Sequence, residues 1–163
     1  MKKILLLTIF LGLLGGTLQA QSRAERRADE AEVARMIRQL VETGRYRIDV
    51  SQATPSGKQP INLSSNSMLI VRGDSVFSEL PYYGNNYNMS FSEGLVFRGR
   101  MIDYEFGADR RDNSTVSFKV NTPEGLHRFT LRIMTNGLVD MNVTPAKRQM
   151  IRYQGVISTK PVD

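Results

Sequence analysis

The chain has no cysteine and only one histidine among its 163 residues. The missing cysteine excludes disulfides, thiolate metal sites and the acylated cysteine of a lipoprotein. A lone histidine cannot build a histidine metal cluster. Long apolar runs are also scarce. The one that exists, ILLLTIFLGLLGG at residues 4–16, is shorter than the roughly 20 residues that span a bilayer. Lys2 and Lys3 precede it and Ala20 follows it, the layout of a secretory signal peptide over residues 1–20. The expected product is a periplasmic or secreted protein, cleaved near Ala20, with no transmembrane anchor in the mature chain. Acidic residues are in mild deficit. Without Lys2 and Lys3 the formal charge falls from +6 to +4, which suits solubility. No nucleic-acid recognition motif accompanies the basic residues.

What is present reads as one domain in two parts. Residues 21–44 predict a helix: Val33, Ile37, Leu40 and Val41 recur at helical spacing, no proline interrupts, and Gly44 supplies a stop. This helix is expected to cover one side or mouth of the body. Arg23, Arg26 and Arg27 leave open a charged interaction arm. Residues 45–158 alternate between short apolar runs and turn residues, and residues 159–163 form a tail. The runs are RYRIDV, MLIV, SVFSEL, LVF, MIDYEF, TVSFKV, HRFTLRI, LVDMNV and MIRYQGVI, with ATPSGKQPINLSS as a loop. The fold class is therefore mainly β: an N-terminal α-helix followed by a curled antiparallel meander of about eight strands, barrel-like or an open barrel or sandwich.

Parity sets the later registers, because side chains on one face must meet the same face of the neighbouring strand. The expected inner rows are Tyr104–Phe118–Phe129–Val143 and Phe106–Val116–Leu131–Met141, with Ile102 and His127 also inside. A two-residue Asn136-Gly137 turn would oppose Ile133 to Asp140. A three-residue loop, Thr135 to Gly137, instead pairs Ile133 with Val139 and requires a left-handed Gly137. On the outer face Arg132 falls opposite Asp140, and Lys119 lies between Arg128 and Asp103.

The segments LPYYG (80–84), GLVF (94–97), the Asp103-Tyr104 pair, FTLRI, Asn136-Gly137 and RQMIRYQG (148–155) resemble domain of unknown function 4251, a family of exported Bacteroidetes proteins. The resemblance runs from about Val41 to Ile157. It implies an envelope setting and an all-β domain, and brings no activity. Many members resemble lipoproteins, and this chain departs from them in lacking the anchoring cysteine.

Candidate chemistry is sparse, and no catalytic, cofactor-binding or metal-binding residue is expected. His127 reads as a packing residue. Asp103 and Glu105 sit side by side on an outer face rather than across a cleft. Asp109 and Asp112 fall in a polar turn and should be solvated. RGDS (72–75) is first a hairpin turn, and Asp74-Ser75-Val76 matches a short O-glycosylation acceptor pattern. The richest stretch is SELPYYGNNYN (78–88). Pro81 stops the ladder and Gly84 permits a bend, so Tyr82, Tyr83 and Tyr87 gather where a strand leaves the sheet. They form either an aromatic lid against the helix or a mouth that contacts a ligand or partner. Two function classes follow: a non-catalytic binding module for a small apolar ligand or envelope component, or a structural and interaction protein with a filled core.

Overall fold

The computed structural model describes residues 23–64, 66–84 and 94–159. Helix α1 covers residues 23–42, and Gly44 at φ +62° ends it. None of the described helices is long and apolar enough to cross a membrane. Nine strands lie among the described residues: β1 (Arg45–Pro55), β2 (Ile61–Asn62), β3 (Met68–Arg72), β4 (Ser75–Pro81), β5 (Gly94–Ala108), β6 (Ser114–Thr122), β7 (Gly125–Ile133), β8 (Leu138–Thr144) and β9 (Ile151–Ser158). All but β2 form an antiparallel sheet in chain order, and β9 pairs back onto β1 to close an eight-stranded barrel. Closure removes the free edges that an open meander would expose.

Alternation explains the interior. Tyr46, Ile48, Leu69, Val71, Val76, Leu80, Phe118, Phe129, Leu131, Met141 and Tyr153 all point inward and are buried. Phe118 and Phe129 stack across the β6–β7 ladder with ring centroids 4.9 Å apart. The expected registers of β6 to β8 hold: Val116↔Leu131, Phe118↔Phe129, Lys119↔Arg128, Ile133↔Val139, Leu131↔Met141 and Phe129↔Val143. Gly137 sits at φ +87°, as the three-residue loop requires. The Lys119 ammonium lies 2.6 Å from the Asp103 carboxylate, offsetting its like-charged neighbour Arg128.

Four expectations need correction. Tyr104 and Phe106, expected in the inner rows, are 38% and 40% exposed, on the part of β5 that pairs with β6 alone. LVF and MIDYEF are one continuous strand, β5, kinked by a bulge where Asp103 adopts φ +53° between Ile102↔Lys119 and Glu105↔Ser117. The extra residue shifts parity. Met101 faces inward opposite Val120, and Ile102 turns outward and is 44% exposed. The loop ATPSGKQPINLSS is partly strand: β1 runs to Pro55, and β2 folds back with Ala53 opposite Ile61. Asp109 is not simply solvated. Its carboxylate accepts from the Asn113 side chain, from the Arg111 and Asn113 backbone amides, and from Arg132. These contacts, Asn113 foremost, hold it well below the usual carboxylate range. Arg132 is still opposite Asp140 in the ladder, but its ion pair is with Asp109 at 2.6 Å.

The barrel has two distinct ends. At one, β5 overruns its partner: the β4–β5 ladder stops at Ser75↔Arg100, while residues 101–108 pair with β6 alone. The C-terminal half of α1 stands here. Ile37 and Val41 are buried, a Cβ on Gly137 would lie 3.5 Å from the Ile37 side chain, and Arg38 reaches Asp112 at 3.3 Å. The opposite end gathers Pro55, Pro81, the Thr122–Gly125 turn and the 145–150 connection.

Candidate functional site

Tyr82 and Tyr83 lie at this second end, a full strand length from α1, so they do not pack against the helix as a lid. β4 begins beside the helix end, where the Gly73 amide donates to the Gly44 carbonyl. Its seven residues then carry the chain about 23 Å away. Tyr87 lies outside the described residues.

The two tyrosines part company immediately. Leu80 points inward and Pro81 outward, so the next residue, Tyr82, continues inward and is 7% exposed, whereas Tyr83 is 42% exposed. The Tyr82 hydroxyl donates to the Gln149 carbonyl at 2.8 Å, and the Arg148 guanidinium sits 5.1 Å above its ring. A Cβ on Gly84 would collide with the Tyr82 hydroxyl, which accounts for the glycine two residues on. Arg148 is fully buried and paired with Glu124 at 2.7 Å. A cation enclosed this way needs both the carboxylate and the aromatic face to offset its lost hydration. Tyr153 completes the cluster by donating to the Pro81 carbonyl at 2.8 Å. Burial foremost, then neighbouring Tyr82 and Tyr83, raises its pKa, so it stays a donor.

LPYYG and RQMIRYQG, 67 residues apart at Tyr82 and Gln149, are thus two halves of one closure. Arg148 and Glu124 were not evident as a pair in the sequence. The available signal was an arginine between two apolar strands, a position where charge survives only with a partner.

His127 is inside the barrel, as parity predicted. Its Nδ1 accepts from the Ala146 amide at 3.3 Å, and Phe97 meets it edge-on at 5.3 Å between ring centres. An accepting Nδ1 is unprotonated, and burial lowers the imidazole pKa, with Glu124 opposing. Such a ring is a packing element with a satisfied polar edge. Among the described residues no three histidine or carboxylate side chains converge as a metal-ligand set.

Outside this closure the wall opens into a groove of about 610 Å³ between Leu63, Ser67 and the ends of β4 and β5. Tyr83 and Val96, the latter 62% exposed, give it apolar surface, and Glu79 gives it one carboxylate. The groove exists because β3 pairs with β4 only as far as Met68↔Glu79, while β1 turns to β2 at Ala53↔Ile61.

Residues 28–157 match the family model for the domain of unknown function DUF4251. The chain belongs to this family. The crystal structure of a DUF4251 family protein from Bacteroides eggerthii is similar to it, with a TM-score of 0.65 and 14% sequence identity. That similarity covers 80% of this chain and 89% of the other, and at this identity it shows a shared fold. A search of curated proteins gives no match. Within this DUF4251 domain, two of the segments that suggested the family, LPYYG and RQMIRYQG, meet to seal the tyrosine end.

Proposed function

We propose that this DUF4251 protein is an exported, non-catalytic binding module of the bacterial envelope, and that it contacts an apolar envelope component through the outer groove. The observation that carries this reading is the contrast between a lumen filled by Tyr46, Phe118, Phe129 and Tyr153 and an open groove of about 610 Å³ carrying Tyr83 and Val96. Ligand sites typically occupy roughly 300–1,000 Å³, so the groove has the room, whereas the barrel interior is occupied by large buried side chains. The non-catalytic reading is supported by the engagement of the reactive groups at this end: His127 accepts a backbone amide, and Glu124 holds Arg148. Export is supported by the positive start, the short apolar run and Ala20. A mature mass retaining Met1 would exclude cleavage near Ala20, and one carrying a lipid would exclude an unanchored product.

Native mass spectrometry of protein purified from its own periplasm tests the binding reading. The expected result is a co-purifying mass that disappears from the Tyr83→Ser, Val96→Ser double variant while the melting temperature holds. A bare mass in the parent protein supports the second reading, a structural module acting through its surface, which the filled lumen favours.

A further inference from the structure

The outer face of β1, β3, β4 and β5 carries a second feature, away from the tyrosine groove. Register places its side chains in rows. Arg45, Arg72, Ser75 and Arg100 stand opposite one another across the four strands, and Arg47, Ile70, Phe77 and Arg98 form the next row. Arginine thus flanks an apolar centre of Ile70 and Phe77 on three sides, and the row beyond carries Asp49, Met68, Glu79 and Val96. A cleft of about 390 Å³ opens over that centre, lined by Arg72 on one side and Arg98 on the other, with Ser75 between them.

The charges here are not balanced internally. Arg47 is paired with Asp49 at 2.6 Å, and Arg100 with Asp74 at 2.7 Å. Asp74 also accepts from the Ser75 hydroxyl at 3.1 Å. Arg45, Arg72 and Arg98 make no ion pair with a carboxylate among the described residues. Arg98 lies over the Phe77 ring at 5.9 Å, which holds its guanidinium on the cleft wall. Arg72 and Arg98 are separated by two strand spacings and a two-residue offset, about 12 Å between Cα atoms. Long arginine side chains span that gap to meet on one anion. Guanidinium forks fit phosphate and carboxylate oxygens in bidentate fashion, and the Ile70–Phe77 floor suits a hydrocarbon.

We infer that this face is a binding site for an anionic amphiphile, a phosphate or carboxylate headgroup on an apolar chain, with Arg72 and Arg98 gripping the headgroup and Phe77 and Ile70 receiving the chain. The cleft volume sits at the small end of ligand sites, so the site takes one headgroup and the adjoining part of its chain. The site shares no lining residue with the groove at Tyr83, whose Glu79 and Val96 stand one row further along the same face, and the two double variants test the two readings separately. The RGDS segment gains a physical role in it: Gly73 turns the hairpin at φ +61°, and Arg72 and Ser75, one from each of its strands, both line the cleft.

Titration calorimetry of the full mature protein with dodecyl phosphate below its aggregation concentration tests the site. Inorganic phosphate and uncharged dodecyl maltoside serve as the headgroup-only and chain-only probes. Dodecyl phosphate should bind at least roughly tenfold more tightly than either, and Arg72→Gln with Arg98→Gln should weaken it roughly tenfold or more. Both residues are exposed, so melting temperature should not change. A control with Arg35→Gln and Arg128→Gln removes the same charge elsewhere and should keep affinity within about twofold. Flotation with phosphatidylglycerol vesicles against phosphatidylcholine vesicles distinguishes the source. Monomer binding identifies a free amphiphile; binding to anionic vesicles alone, with the same loss in the double variant, identifies a lipid headgroup. No binding to either, or equal losses in the double variant and the control, overturns the assignment.

Discussion

The two ends of the barrel are closed by different means. At the helix end a separate element does it: Ile37 of α1 lies over Gly137, and Ile37 and Val41 are buried with the core. At the tyrosine end the barrel closes itself, with Tyr82, Glu124 and the Arg148–Tyr153 segment arriving from three places in the chain. The apolar closure is non-directional and tolerates small shifts. The polar one is directional, and each buried group depends on its partner.

The largest expected effect falls on the polar closure. Tyr82→Ala should destabilise by about 3–5 kcal/mol, through ring burial and the lost contact with Arg148. Denaturant melts would show this directly, and a loss under about 1 kcal/mol would mean that the closure is incidental. Ile37→Ala, at the apolar end, should cost about 2–4 kcal/mol. If it cost clearly more than Tyr82→Ala, the ranking of the two ends would reverse.

A pH series sharpens the comparison, because a neutral buried imidazole stands at only one end. The folded-state pKa of His127 is lowered by burial. Its contribution to stability is therefore complete above the unfolded histidine pKa, about 6.5, and is lost as pH falls through the lower folded value. Asp109, whose pKa is also lowered, contributes above the ordinary carboxylate pKa near 4 and is lost only in stronger acid. Melting temperature should thus decline as pH falls below about 6.5 in the parent. His127→Gln, which can still accept from Ala146, should flatten that decline and fold normally at pH 7.5. An unchanged decline would assign it to another group. The smallest effect should come from Tyr83→Ala, half-exposed beside its buried neighbour. A shift of more than about 1 kcal/mol in its melt would show that the ring belongs to the closure rather than to the groove.

Legibility followed the reach of local rules. In β6 to β8 the apolar alternation and the Thr135–Gly137 loop were sufficient to give every register, because consecutive hairpins leave parity no freedom. In β5 the same reasoning failed at Ile102. The bulge at Asp103 inserts a residue, and nothing in the alternation Ile102, Tyr104, Phe106 marks it. Of the candidate site, the stretch containing Tyr82 and Tyr83 stood out, but their opposite fates did not, since both orientations are compatible with a strand end after proline.

By itself the sequence determined the helix, the β-rich body, the meander order and the family, because periodicity, turn residues and short motifs act within a dozen residues of one another. Only the tertiary structure decided that β9 closes on β1, that LPYYG meets RQMIRYQG, and that Arg72 and Arg98 flank one cleft. Those facts join residues far apart in the chain, and their physical cause is closure. A barrel brings its first and last strands together, and the pairing that satisfies their backbone groups also chooses which distant side chains share an end or a face.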